Sequence, residues 1–285
     1  MMNIADIRIV TDSGADTLQF EQIKTAVAPL KINTAVHEWV DTPELDVSAM
    51  TRTLSTYKGK SSTTCPSMGD YLAAFGDATY VFCITITSRL SGSHNVALSA
   101  AREYEAMHEG RRVCVIDSRQ TGPGMRLIAE KIEELVLSGK SFDEVCDEVG
   151  AYSPYTELLF LLESLNNLAN NGRVSRAVAK IAGVLGIRML GRAVQGEIQP
   201  IAKPRGFEKG LQVMLEAMLS LGYNGGKVRI CHCENESAVK RLVDAIKARF
   251  PLANVLAYRA GALNSFYAER GGLIMGFETG KELRV

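Results

Sequence analysis

The feature that most constrains this chain is the regular exchange between short apolar runs and segments of helical period. Tyr80-Val81-Phe82-Cys83-Ile84-Thr85 reads as a buried strand and Ser93 to Met107 as the helix after it. Val113-Cys114-Val115-Ile116-Asp117 follows as a second strand and Pro123 to Leu137 as a second helix. A continuous apolar run suits a strand covered on both faces, and a helical crossover lets two such strands pair in parallel. These are successive βαβ units, and the fold class is α/β. Ile7 to Thr11 supplies an opening strand, with a short helix expected around Leu18 to Lys24. Val27 to Asn33 and Ala35 to Val40 read as paired extended segments, and Val47, Met50, Leu54 and Tyr57 mark one face of a helix capped by Asp46. Ser141-Phe142-Asp143-Glu144 has the spacing of a capping box and opens a helix to about Tyr152.

Beyond Tyr152-Ser153-Pro154, read as a linker, the texture is mixed rather than regularly wound. Leu158 to Leu162 is extended, Ser175 to Leu185 helical, and Ile187 to Lys203 alternates like a hairpin broken at Gly196. Phe207 to Leu221, Lys227 to His232, Ser237 to Phe250 and Val255 to Tyr258 then give helix, strand, helix, strand, and Gly271-Gly272 turns into a last strand. A chain of 285 residues with 46% hydrophobic content buries a large core and splits more readily into two domains than one. The expectation is an N-terminal parallel-sheet α/β domain over 1–153 and a C-terminal mixed α/β domain over 154–285. The segment around 60–75 is expected to line the cleft between them.

Thirty-two basic residues balance thirty-two acidic ones, so no global field attracts nucleic acid or an anionic membrane. The cysteines at 65, 83, 114, 146, 231 and 233 are scattered, several within apolar strands, which suits reduced thiols in the cytoplasm better than a disulfide framework. No signal peptide is recognisable, and no apolar stretch approaches the roughly twenty residues that cross a bilayer.

Three segments carry candidate chemistry. Arg173, in Asn170-Asn171-Gly172-Arg173-Val174-Ser175, follows the apolar run at Phe160 to Leu165 and precedes an apolar helix. A guanidinium is always charged and grips a carboxylate through two parallel donors, although taken alone such a residue reads as the partner of a surface acid. Thr63-Thr64-Cys65-Pro66-Ser67 and Ser88-Arg89-Leu90-Ser91-Gly92-Ser93 are hydroxyl-rich turns that open helices. Ser67 with Asp70 reads as a helix cap, and the Ser91-Gly92-Ser93 turn offers backbone amides and a helix dipole to an anion. No P-loop spacing occurs, which leaves nucleotide hydrolysis without support.

Together these segments resemble the head-group site of the DegV family, bacterial fatty-acid-binding proteins. Ile9-Val10-Thr11-Asp12-Ser13-Gly14-Ala15-Asp16 is similar to that family's opening strand and Asp-Ser-x-Ala-Asp turn. Thr63-Thr64-Cys65-Pro66-Ser67 resembles its Thr-Ser-Gln-Pro-Ser box, Leu90-Ser91-Gly92-Ser93-His94 its Leu-Ser-Gly-Thr-Tyr turn, and Val115-Ile116-Asp117-Ser118 its third strand end. Gly172-Arg173-Val174-Ser175 is similar to its Gly-Gly-Arg-Ile-Ser segment. The resemblance implies a two-domain fold enclosing a long-chain fatty acid, with Thr63, Thr64, Ser91, Gly92 and Arg173 holding the carboxylate. It implies no cofactor and no catalysis by this chain, but presentation of the carboxylate to a separate kinase subunit that forms acyl phosphate. The family usually closes with a His-Thr-Gly-Pro-Gly run, whereas this chain reads Tyr267-Ala268-Glu269-Arg270-Gly271-Gly272, so Ala268 stands where the histidine is expected.

Other signals point less far. Cys231-His232-Cys233 alternates along a strand, putting both thiols opposite the imidazole, so a metal site is not expected there. Cys65, near a helix start, is a candidate nucleophile for an alternative reading as a small-molecule hydrolase, with His37 and His94 as bases. Asp12 and Asp16 suggest paired carboxylates but also suit turn and cap chemistry.

Overall fold

The computed structural model describes residues 2–182 and 186–280. The first part contains β1 (Ile7–Asp12), β2 (Lys24–Ala28), β3 (Lys31–Asn33), β4 (Glu38–Val40), α1 (Val47–Thr56) and β5 (Ser62–Thr64). It continues with α2 (Met68–Phe75), β6 (Tyr80–Thr85), α3 (Ser93–Met107), β7 (Arg112–Asp117), α4 (Pro123–Leu137) and α5 (Phe142–Tyr152). Strands β2-β1-β6-β7 form an all-parallel sheet, while β4-β3-β5 form a small antiparallel one. After residue 155 come β8 (Thr156–Leu162), α6 (Asn166–Asn170), α7 (Arg176–Ala182), β9 (Met189–Val194), β10 (Glu197–Ala202) and α8 (Phe207–Ser220). The last elements are β11 (Lys227–His232), α9 (Glu236–Arg249), β12 (Asn254–Arg259), α10 (Ala262–Ala268) and β13 (Leu273–Glu278). Their six strands form a mixed sheet in the order β10-β9-β8-β13-β11-β12, in which only β11 and β12 pair in parallel.

The parallel sheet is covered on both sides, which explains its uninterrupted apolar strands. Alternation along β6 sends Phe82 and Ile84 into a core with Met125, Ile128 and Ile132 of α4, and Val81 and Cys83 into a second core with α2 and α3. Helix ends follow local chemistry: Asp46 Oδ1 accepts from the Ala49 N–H at 2.9 Å, and Ser67 with Asp70 and Ser141 with Glu144 form capping boxes. All six cysteines are free thiols. Among the described residues no helix is long and apolar enough to cross a membrane, and no three His, Cys, Asp or Glu side chains gather as metal ligands.

Helix α4 packs against both large sheets. Its first turn rests on β13, where a Cβ at Gly276 would lie 2.8 Å from the Gly124 nitrogen and from the Pro123 carbonyl carbon, so only glycine allows this approach. Farther along, Glu130 of α4 grips Arg229 of β11 through Nε–Oε1 at 2.8 Å and Nη2–Oε2 at 2.7 Å.

Two sequence expectations change. Residues 17–23 form an irregular crossover rather than a helix, because Leu18 and Ile23 both anchor in the core while the stretch between them runs to the sheet edge. The segment from Val27 to Asn33 is divided, its start belonging to the parallel sheet and only β3 pairing with β4. The helix expected over Ser175 to Leu185 is seen as α7, and residues 183–185 lie outside the described residues.

Candidate functional site

In an open parallel sheet the crevice outside the carboxyl ends of the strands is the natural place for a ligand. Ile86, Thr87, Leu90 and Ser91 follow the end of β6, and Arg119, Gln120 and Thr121 follow the end of β7; both groups line one cavity of about 850 Å³, counting its open mouth. The opposite wall is the mixed sheet, whose β8 presents Leu158, Phe160 and Leu162 at every second residue. Ala193, Ile198 and Ile274 widen that apolar floor. Leu263, Asn264, Tyr267 and Ala268 of α10 close the side.

Polar groups gather at the Leu162 end. Gly172, at φ +76°, ends α6 with a left-handed residue, and the Arg173 N–H then donates to the Leu168 carbonyl at 2.8 Å. This turn aims a half-buried guanidinium at the cavity. Its Nε donates to the Leu90 carbonyl at 3.2 Å and its Nη1 to the Asn171 carbonyl. Among the described residues no carboxylate lies within 4.0 Å of it, so the surface ion pair that Arg173 alone suggested is not formed. Thr63 Oγ1 and the Tyr267 hydroxyl share a hydrogen bond of 2.7 Å at the cavity wall. Burial pushes the Tyr267 phenol above its ordinary pKa, against the smaller lowering effects of the Thr63 bond and the Arg173 charge, so it stays protonated and able to donate.

The residues singled out from sequence are thus only partly brought together. Thr63, Ser91 and Arg173 line the cavity. Thr64 is on the other face of β5, exposed, and its Oγ1 accepts from Asn33 Nδ2 at 2.9 Å. Gly92 is the exposed N-cap of α3, where a Cβ would meet Cys65 Sγ at 3.5 Å, and neither residue lines the cavity. Among the described residues no hydrogen bond joins Cys65 to an imidazole: His94 Nδ1 lies 3.2 Å from Thr85 Oγ1, and the His37 ring sits tilted at 39° against Trp39. Ala268 is 3% exposed and opens onto the cavity beside Tyr267. Tyr267 was not foreseen; its signal was only a phenol one residue before Ala268, in a helix that the sequence reading did not recognise.

Buried carboxylates hold the walls. Asp12 Oδ2 accepts from the Ile86 N–H at 2.9 Å and the Ser93 hydroxyl at 2.5 Å, which pins the loop bearing Leu90 and Ser91. Asp16 Oδ1 accepts from the Gly261 N–H at 2.7 Å and Asn264 Nδ2 at 2.8 Å, and Asp41 accepts from the Ala262 and Leu263 N–H groups at 3.0 and 2.9 Å. These two therefore cap α10 and fix Tyr267. Desolvation raises all three, Asp12 to about 6 and Asp16 to about 7 despite their hydrogen bonds. They serve as turn and cap groups rather than as an acid–base pair: Asp12 faces a fully buried serine, and Asp16 does not hydrogen-bond to Asp12.

The cavity thus joins an apolar floor to the Arg173 guanidinium at the Leu162 end, with that of Arg119 also in its lining. The family described as "Uncharacterised protein, DegV family" matches residues 6–277, and the chain belongs to it. A DegV domain-containing protein of Streptococcus gordonii is 37% identical over 96% of this chain and 99% of its own. Among solved structures, a DegV family protein from Eubacterium eligens loaded with heptadecanoic acid is 41% identical, with TM-score 0.94 over 96% of this chain and all of that one. The Fatty Acid Kinase (Fak) B3 protein of Streptococcus pneumoniae, loaded with linoleic acid, is 37% identical, with TM-score 0.94 over 96% of this chain and 99% of that one.

Proposed function

We propose that this protein is a non-catalytic carrier that holds a long-chain fatty acid in the cavity, its tail along β8 and its carboxylate at Arg173. The observation that carries this reading is the junction of a long apolar floor with a guanidinium that has no acidic partner among the described residues. The energetics divide unequally. A chain of roughly fifteen carbons gains on the order of ten kcal/mol gross at about 0.8 per methylene, whereas charged hydrogen bonds net about 1.5–3 each. The tail supplies affinity, and Arg173, Thr63, Ser91 and Tyr267 supply orientation. In this reading the chain divides near Ser153 into two lobes with the lipid between them, acts in the cytoplasm, and needs no cofactor. Extraction of the purified protein under denaturing conditions is expected to release a fatty acid, identified by mass spectrometry. Recovery of no lipid, together with failure to bind added oleic acid, would overturn the reading.

Arg173→Ala is expected to weaken oleic acid by about tenfold to a hundredfold, and oleyl alcohol much less, because only the acid uses the charge. Equal losses for acid and alcohol would make Arg173 a structural residue.

The carrier is further proposed to present its carboxylate to a separate kinase that forms acyl phosphate, in keeping with the likeness to the Fak B3 protein. Ala268 places a methyl group, with no proton to give or accept, beside the carboxylate position. Ala268→His is accordingly expected to raise the rate of acyl phosphate formation by a cognate kinase more than it changes fatty acid affinity. An unchanged rate would show that no imidazole is needed there.

A further inference from the structure

Gly191 of β9 lies directly across from Phe160 of β8, and paired residues in neighbouring strands project from the same face. That face is the floor of the cavity. A Cβ built at Gly191 would lie 2.1, 2.5 and 2.9 Å from Cζ, Cε2 and Cε1 of Phe160, so the ring is folded over the glycine and fills the space that a side chain there would need. On the other flank of Phe160 the register partner is Ile274, a bulky neighbour that lines the same floor. The ring leans into the recess at Gly191, away from the branched chain. Phe160 lies midway along the floor, between Leu162 toward the Arg173 end and Leu158 toward Gln120.

Resting on the fatty acid reading above, we propose that Gly191 and Phe160 form the selectivity element of this cavity. The missing side chain at 191 lets the aromatic ring lie down, and the lowered ring keeps the middle of the channel open to a long chain. Any side chain at 191 must lift the ring into the path of the acyl tail, because strand backbone confines it from below. A ligand short enough to stop before Phe160 would not feel the change. The pair therefore decides how far a chain extends past the centre of the cavity, while Arg173 decides only which end leads.

The test compares stearic and octanoic acid on wild type, Gly191→Ala, and Gly191→Ala combined with Phe160→Leu. Gly191→Ala is expected to weaken stearic acid by more than about tenfold, the scale of overpacking a core, and to leave octanoic acid within about twofold. Adding Phe160→Leu removes the lifted ring and should restore most of the stearic acid affinity. Undiminished stearic acid binding by Gly191→Ala would overturn the proposal, and so would an equal loss for both acids that Phe160→Leu fails to repair, since Gly191 would then matter only to folding. A wild-type protein that binds neither acid would refute the carrier reading itself, a result distinct from either of these.

Discussion

Glu130→Gln is expected to lower the free energy of unfolding by about 3–5 kcal/mol, the range found when one partner of a buried ion pair is removed. Arg229 is 6% exposed at its side chain and Glu130 13%, and Arg126 also donates to Glu130 Oε1, from Nε at 3.2 Å. The remaining donors of Arg229 are already spent: Nη1 bonds to the carbonyls of Val228 and Asn254, both at 2.9 Å, and to Asn254 Oδ1 at 3.1 Å. Neutralising Glu130 therefore leaves one buried guanidinium beside a second, and among the described residues no other carboxylate lies within 4.0 Å of either. The consequence is larger than for an exposed pair such as Arg112 with Asp143, whose charges are screened by solvent. Urea denaturation of the two variants side by side decides the matter. A loss below about 1 kcal/mol for Glu130→Gln would mean that the bridge between α4 and β11 behaves as a surface pair and does not hold the two sheets on their shared helix.

The second large effect has the opposite sign. Asp16→Asn is expected to stabilise the protein by about 2–4 kcal/mol at pH 8. Asp16 titrates at about 7 in the fold because of burial. In the unfolded chain it titrates near the ordinary carboxylate value of about 3.9. A raised folded pKa means that the native state binds the proton more tightly, so the contribution of this group to stability is complete below about pH 4 and is lost as pH rises through 7. At pH 8 the native state must carry a buried anion. Its Oδ2 has no hydrogen-bond partner among the described residues. Asparagine keeps the acceptor for the Gly261 N–H and Asn264 and carries no charge. Its advantage should shrink steadily on acidification and vanish only below about pH 4, where Asp16 is neutral in the unfolded chain as well. Thermal melts of both proteins between pH 5 and 8 test this, and a wild type as stable as the variant at pH 8 would show that Asp16 pays no burial cost. Asp12, raised to about 6, and Asp41, also raised, act in the same direction, so wild-type stability should fall across this interval rather than climb.

Strands β1, β6 and β7 of the parallel sheet, the helices after β6 and β7 and the caps at Asp46, Ser67 and Ser141 were determined by the sequence alone, because each depends on contacts within a few residues or on burial of both strand faces. Arg173 was singled out through the family resemblance, and Gly172 with the end of α6 then aims it locally. Tertiary structure decided the rest of the site. Strand alternation, once β5 was paired with β3, turned Thr63 to the cavity and Thr64 to solvent. Helix α10 has seven residues, six of them buried, so it shows no polar face and no readable period. Its first N–H groups are satisfied by Asp16 and Asp41, 245 and 221 residues earlier in the chain. A helix held from such a distance leaves no local signal, and Tyr267 became legible only when the fold had closed around it.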